Sequence, residues 1–153
     1  MHYNEWTLTG NGTRVGKYIQ LCQQNNETVD LSGADLRLKN LGRANLRSAN
    51  LAETDLSGAS LAETDLSGAS LSYADLSGAN LTAADLSYAN LSGSNLTGAI
   101  MAGADLSYAD LSGSNLTGAY LSYANLSGSN LTGAIMAGAI MAGANLTNVK
   151  YSN

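Results

Sequence analysis

From residue 31 to residue 151, every fifth residue of the chain is large and apolar, and this register is never broken. Leu occupies 21 of these 25 positions, Met occupies three and Tyr occupies the last. A five-residue period fits neither regular element, because successive leucines would lie about 140° apart on a helix and would alternate between the two faces of a strand. All these side chains point inward only if the chain turns once per pentad. The pattern therefore predicts a coil wound around its own core.

The other positions of the pentad follow a second pattern, described here relative to the large apolar residue, the core position. Two residues earlier is the small position, usually Ala, and one residue earlier is the polar position, mostly Asp or Asn. After the core position come the turn position (Ser, Thr or Ala) and the corner position, usually Gly or Tyr. A small residue can share the interior with the core residue, while the other three positions face water and let the chain turn.

This A-[D/N]-L-[S/T]-[G/Y] tandem resembles the pentapeptide-repeat protein family over residues 29–153. The resemblance implies an all-β solenoid, a right-handed quadrilateral parallel β-helix, with one pentad per side and about four pentads per coil. It also implies that the core and small positions point inward. The repeats then form about six coils, and a strand spacing of about 4.8 Å gives a rod about 30 Å long. The family often has Phe at the core position, whereas this chain contains none.

Residues 1–28 lack the repeat and are predicted to form an N-terminal cap. One face of a short helix, over about residues 14–24, is formed by Val15, Tyr18, Ile19 and Cys22. Before it, Trp6 and Leu8 alternate with polar residues, which weakly favours a short strand. An uncovered solenoid end would expose core side chains and unpaired backbone, so we expect this segment to cover the first coil.

If about four pentads form a coil, residues 20 apart stack along one face and the outer surface can be described in columns. One column of polar positions, the first acidic column, begins with Asp35, Asp55 and Asp75. The column on the opposite side, the second acidic column, contains Asp65, Asp85 and Asp105. Between residues 51 and 149 there are eight acidic residues and no basic one. These side chains either satisfy turn amides and keep the rod soluble, or they imitate the charge of duplex DNA. Some family members are associated with protecting type II topoisomerases in this second way.

A third column becomes apolar late in the chain. The candidate interaction face consists of Ile100, Tyr120 and Ile140 in this column, Tyr123 beside it and Ile135 on the neighbouring face. Apolar residues at positions that are polar elsewhere indicate a contact patch, although isolated apolar residues are common on surfaces. Tyr88 and Tyr108 are predicted to lie one above the other in another column.

The last coil is the candidate site of self-association. Its core positions are Met136, Met141, Leu146 and Tyr151, and two further residues follow. An open solenoid edge is commonly covered by another chain. We therefore expect an end-to-end homodimer through the C-terminal coil, or a neighbouring domain at that end.

The composition argues against catalysis. One His and one Cys provide no Cys/His cluster for a metal, and the serines lack a His partner for nucleophilic chemistry. No calcium loop or phosphate-binding glycine motif occurs. We expect no enzyme activity, no cofactor, no metal and no direct nucleic-acid binding.

The same features favour a cytoplasmic protein that does not enter the membrane. Residues 1–10 show no secretory signal, the single Cys suits a reducing compartment, and the weakly polar run 134–144 is too short to span a bilayer. The sequence therefore predicts a non-catalytic scaffold or protein-interaction module whose partner it does not name. The alternatives are an acidic DNA mimic that binds a type II topoisomerase or other DNA-binding protein, and a purely structural module of a larger assembly.

Overall fold

The computed structural model describes residues 13–151; residues 1–12, 152 and 153 lie outside this range. The short strand predicted around Trp6 and Leu8 falls outside the described residues. Within them, a single helix, α1 (Thr13–Gln24), precedes the repeats. No helix in residues 13–151 combines the length and the apolar character needed to cross a membrane.

Helix α1 packs its apolar face against the start of the solenoid. Its buried side chains, each 5% exposed or less, are Val15, Tyr18, Ile19 and Cys22. They belong to the same hydrophobic cluster as the leucines of the coils. Because this spacing follows one helical face, the amphipathic pattern explains both the formation of the helix and the side it buries.

Polar side chains of α1 bond to the backbone of the first coil, which is preceded by no other coil among the described residues. The Tyr18 hydroxyl donates to the carbonyl oxygen of Asp30 at 3.0 Å and accepts from the N–H of Asp30 at 3.3 Å. Gln23 Nε2 donates to the carbonyl oxygen of Asn45 at 2.7 Å. Burial raises the pKa of Tyr18 to about 12, so its hydroxyl remains protonated. The helix thus covers the edge by both packing and hydrogen bonding.

From residue 30 onward, each side of the coil contributes one bridge residue rather than a continuous strand. The bridges among the described residues are parallel and join polar positions 20 residues apart, from Asp30–Asn50 to Asn130–Lys150. Four pentads therefore complete one coil, and the columns of polar positions run along four faces. The sheet character of the fold lies in these short parallel contacts.

Neighbouring coils are joined by a regular set of backbone hydrogen bonds. Around Leu86, the N–H of Asp85 donates to Thr64 of the preceding coil at 3.0 Å, while the N–H groups of Leu86 and Tyr88 donate to the following coil at 2.7 and 2.9 Å. A fourth bond, from the N–H of Ala89 to the carbonyl of Leu86 at 3.0 Å, closes the turn. Since most backbone polar groups are paired in this way, the fold requires no long strand.

The corner position adopts the left-handed conformation, with φ of 58° at Tyr88 and 66° at Gly93. Together with the hydrogen bond that closes the turn, this has the form of a type II turn. Glycine adopts this conformation freely, whereas an L-residue does so at a cost of about 1 kcal/mol. This explains why Gly is frequent at the corners.

The interior is filled by the core positions and the small positions. Core residues from Leu31 to Leu131 are 4% exposed or less. Burying a leucine side chain contributes about 2 kcal/mol, so the regular leucine series supplies the main stabilising term. In the last coil, Met136 and Met141 are only partly buried, and Leu146 and Tyr151 are 39% and 50% exposed.

Candidate interaction surfaces

The polar position first of all stabilises the turn. Every Asp or Asn there, from Asp30 to Asn145, accepts a hydrogen bond through Oδ1 from the backbone N–H two residues later, at 2.9–3.2 Å. In some pentads the turn hydroxyl joins in, as Ser57 Oγ does on Asp55 Oδ1 at 2.7 Å. Asp and Asn are favoured in turns for this bond. The carboxylates therefore have a structural role whatever else they bind.

The first acidic column is partly neutralised by a basic side chain of its own. Arg37 forms an ion pair with Asp35 at 2.6 Å and approaches Asp55 of the next coil at 3.6 Å. The hydrogen bond from Arg37 lowers the pKa of Asp35 to about 2. Further along, Asn95 Nδ2 donates to Asp75 Oδ1 at 3.1 Å, which relieves the repulsion between stacked carboxylates.

The carboxylates of the second acidic column form no ion pair among the described residues. Asp65, Asp85 and Asp105 follow one another in parallel bridges, and none of them forms an ion pair within residues 13–151. Asp105 Oδ1 receives a hydrogen bond from Asn125 Nδ2 at 3.2 Å, while the Oδ2 atoms receive none from the described residues. At the start of the second acidic column, Arg47 donates to Ser67 Oγ at 3.1 Å, and the Ser67 hydroxyl donates to Asp65 Oδ1 at 2.6 Å. The two columns therefore differ in direct ion pairing, because Arg37 contacts two carboxylates of the first column and no carboxylate of the second is paired within residues 13–151.

The apolar column expected from the sequence is continuous. Ile100 bridges to Tyr120 and Tyr120 bridges to Ile140, and these side chains are 41%, 48% and 47% exposed. Tyr123 lies on the adjacent corner, whereas Ile135 is in the first acidic column beside Asn115. The structure thus places the first three in one line and the other two on its flanks.

The apolar column lacks the turn bond that Asp and Asn provide elsewhere. Ile and Tyr have no acceptor positioned for the N–H two residues later, and the amides of Ala102, Ser122 and Ala142 have no partner within the described residues. A stabilising polar side chain is therefore replaced by a half-exposed apolar one at three successive coils. Such a departure from the local rule is typical of a binding surface.

The corner positions form a further arrangement that sequence reasoning recovered only in part. Tyr88 and Tyr108 lie one above the other, as their register predicted, and the structure adds that their rings stack, with centroids 5.1 Å apart and an interplanar angle of 10°. The structure also shows that four large apolar corner side chains lie over the glycine 20 residues later. The pairs are Leu38 over Gly58, Tyr73 over Gly93, Tyr108 over Gly128 and Tyr123 over Gly143. This pairing was missed, although each glycine is visible in the sequence at the same 20-residue register.

The last coil presents unpaired backbone donors at its outer edge. At the core and corner positions of this coil, the following amides have no acceptor within residues 13–151: Met136, Gly138, Met141, Gly143, Leu146 and Asn148. In the preceding coil the equivalent groups are bonded, as Leu116 N–H is to the carbonyl of Ile135 at 2.7 Å. The candidate self-association residues therefore combine partly exposed core side chains with unpaired backbone.

The described residues offer no metal centre. Within residues 13–151, no three His, Cys, Asp or Glu side chains come together in a group that could hold a metal ion.

A coiled backbone with a five-residue repeat and a 20-residue register defines a β-helical repeat protein. The family model for pentapeptide repeats (8 copies) matches residues 29–61, 49–87, 59–98, 79–118 and 114–150. The chain belongs to the pentapeptide repeat family, whose members form right-handed quadrilateral β-helices. A comparison with curated protein sequences gave no significant match.

Solved structures of the same family resemble the chain. A pentapeptide repeat protein from the thylakoid lumen of Arabidopsis thaliana is 36% identical over 68% of this chain and 72% of that one, with a TM-score of 0.64. HetL, involved in heterocyst differentiation regulation in the cyanobacterium Nostoc sp. strain PCC 7120, is 37% identical over 78% and 71%, with a TM-score of 0.33. QnrB1, a plasmid-mediated fluoroquinolone resistance protein, is 19% identical over 80% and 64%, with a TM-score of 0.48.

Proposed function

We propose that the protein is a non-catalytic scaffold of about six coils that binds a protein partner through the isoleucine–tyrosine face. This face is defined by Ile100, Tyr120 and Ile140, with Tyr123 and Ile135 at its margins. In this proposal α1 closes one end of the rod and the coils hold the face rigid. A rigid surface binds at a lower entropic cost than a flexible one.

The observation that carries the proposal is the exposure of apolar side chains at positions where Asp or Asn stabilises the turn elsewhere. Ile100, Tyr120 and Ile140 are 41–48% exposed and replace side chains that bond the backbone in other pentads. The surrounding segments 78–83, 98–103, 118–123 and 138–143 contain no charged residue. The face is therefore suited to an apolar partner surface rather than to a charged one.

The size of the face limits the kind of complex. Three side chains in successive coils span only about 10 Å along the rod. A stable interface buries about 800 Å² per partner, so the column alone is too small. We infer that the partner also contacts Tyr123 and Ile135, or binds transiently.

Capture of partners from a lysate of the native host, at low and at high salt, tests the proposal. Binding to an apolar face persists at high salt, whereas binding to carboxylates weakens. A partner that is retained at high salt supports the isoleucine–tyrosine face. Capture that disappears at high salt contradicts it and favours the second candidate.

The second candidate is an acidic mimic of DNA that occupies a DNA-binding protein. It is favoured by one observation, that Asp65, Asp85 and Asp105 form no ion pair with any residue from 13 to 151. A purified type II topoisomerase assayed for supercoiling at micromolar concentrations of the protein tests this candidate. Unchanged supercoiling and no binding would eliminate it for that enzyme.

We also propose that a second copy covers the last coil. The support is the set of unpaired amides there, together with the exposure of Leu146 and Tyr151. Charging this edge by changing Met136 and Leu146 to Glu should produce a monomer if two copies meet there. A monomeric mass of the unchanged protein at high concentration, measured by light scattering, would refute this dimer.

A further inference from the structure

A second surface lies at the corner between the second acidic column and the neighbouring column of Asn90 and Asp110. Residues 85–89 and 105–109 both read DLSYA and lie one coil apart. Their tyrosines, Tyr88 and Tyr108, stack at 5.1 Å and remain 67% and 60% exposed. The corner therefore presents two parallel aromatic rings to solvent.

The stack is closed at one end and open at the other. The ring of Tyr108 lies over Gly128, where an added Cβ would come within 2.6 Å of Cε1. At the opposite end, no atom of Tyr88 lies within 4 Å of a Cβ built at Gly68. One face of the Tyr88 ring is thus available to continue the stack.

Carboxylates flank the rings on both sides. Asp85 and Asp105 lie on one side and Asp110 on the other, each bonded to its turn amide through Oδ1. None of the three forms an ion pair or receives a bond at Oδ2 from the described residues. The chain has no basic residue between positions 51 and 149 that could neutralise them.

We propose that this corner binds an arginine-rich segment of a protein partner. A guanidinium group is planar, stacks on a tyrosine ring and donates paired hydrogen bonds to carboxylates, so it fits the open ring face and the flanking Oδ2 atoms together. A lysine ammonium can satisfy the charge but not the stacking. This inference goes beyond the proposed function, because it concerns a different surface and a basic rather than an apolar partner.

The arrangement of rings and charges also separates this site from simple mimicry of DNA. A mimic requires only charges at phosphate-like spacing and does not need aromatic rings. Tyr73 and Tyr123 provide an internal comparison, since each lies over a glycine without a stacked second ring. Among the corners that the structure describes, only that of Tyr88 and Tyr108 combines two stacked rings with carboxylates on both sides that form no ion pair.

The experiment measures fluorescence anisotropy of labelled octa-arginine and octalysine peptides with the full chain at low salt. The test variant is Tyr88→Gly/Tyr108→Gly, and the matched control is Tyr73→Gly/Tyr123→Gly. Glycine is the usual corner residue and takes the left-handed conformation without strain, so both variants should fold. Thermal unfolding, monitored by circular dichroism, verifies that both variants are folded.

We expect the unchanged protein to bind octa-arginine severalfold more tightly than octalysine. Tyr88→Gly/Tyr108→Gly should weaken octa-arginine binding about tenfold, while the control stays within about twofold. A further variant, Asp85→Asn/Asp105→Asn, retains the turn acceptor and should weaken both peptides. Equal binding of the two peptides, or octa-arginine binding unchanged by loss of Tyr88 and Tyr108, would overturn the proposal.

Discussion

The ring of Tyr108 lies directly over Gly128, one coil further along the rod, so closely that a Cβ on Gly128 would come within 2.6 Å of the ring. The same relation holds between Tyr73 and Gly93 and between Tyr123 and Gly143. A tyrosine at a corner therefore leans over the next coil and lies against either a glycine or, as at Tyr88 and Tyr108, a parallel ring.

Substitution of Gly93 tests this corner relation. Gly93 and Gly103 have nearly the same φ, 66° and 65°, but only Gly93 has a ring above it. Changing either to Ala should cost about 1 kcal/mol for the left-handed conformation. Gly93→Ala should cost more, because the Tyr73 ring must move away. Thermal unfolding measures both.

A double-mutant cycle isolates the contribution of the ring. In a Tyr73→Gly background, the excess cost of Gly93→Ala over Gly103→Ala should disappear. If the excess cost persists without the ring, the contact between Tyr73 and residue 93 does not determine how well this corner accepts alanine.

The buried serines at the small position should respond in opposite directions to Ala. Ser114 Oγ donates to the carbonyl of Leu111 at 2.7 Å, whereas Ser94 Oγ and Ser129 Oγ have no partner among the described residues. Ser94→Ala and Ser129→Ala should therefore stabilise the fold by about 1 kcal/mol each, and Ser114→Ala should destabilise it by about 1 kcal/mol. The free energy of unfolding in urea measures these changes, and three equal values would contradict the assignment.

The pairing of Arg37 with Asp35 should be visible in acid titration. The hydrogen bond from Arg37 holds the pKa of Asp35 at about 2, below its ordinary value of 3.8. Because the folded-state pKa is depressed, the pair stabilises the fold above about pH 4 and this contribution is lost as the pH falls through about 2. Arg37→Ala should raise the pKa of Asp35 towards 3.8, as followed by NMR of the side-chain carboxyl carbon. An unchanged pKa of Asp35 in this variant would show that Arg37 does not cause the lowered pKa.

Replacing the apolar column with Asn should stabilise the protein while removing its proposed binding face. In Ile100→Asn/Tyr120→Asn/Ile140→Asn, each new side chain can accept the turn amide that now lacks a partner. A net gain of about 0.5–1.5 kcal/mol per bond is expected, so the midpoint of thermal unfolding should rise. A lower midpoint would show that the apolar side chains stabilise the rod themselves, and the argument that they are retained for binding would lose its basis.

The interior could be predicted from sequence because its period is unambiguous. A large apolar residue at every fifth position leaves only one way to bury them all, and the buried leucines from Leu31 to Leu131 follow that pattern. The spacing of Val15, Tyr18, Ile19 and Cys22 likewise identified the buried face of α1. These features depend on side-chain periodicity alone.

For the surface, the sequence predicted which residues share a column but not the contacts between their side chains. Arg37 reaches both Asp35 and Asp55, while Asp85 forms no ion pair in the part of the chain that the structure describes. This difference depends on side-chain reach across coils rather than on sequence spacing. The direction in which Tyr73 and Tyr108 lean depends on the left-handed corner, which the repeat motif does not reveal by itself. Distinguishing the two acidic columns therefore required the structure.

The central claim is that the isoleucine–tyrosine face binds a partner, and the most direct test compares two matched variants in quantitative capture from a host lysate. One is Ile100→Ser/Tyr120→Ser/Ile140→Ser. The other, on the opposite face, is Asn90→Ser/Asp110→Ser/Asn130→Ser. Serine occurs naturally at the polar position, as at Ser60 and Ser70, so both should fold.

We predict that at least one protein captured by the unchanged chain is captured in the same amount by the opposite-face variant. The isoleucine–tyrosine face variant should capture at least about tenfold less of that protein, because central apolar contacts are lost. The same proteins captured in equal amounts by all three chains would contradict the claim.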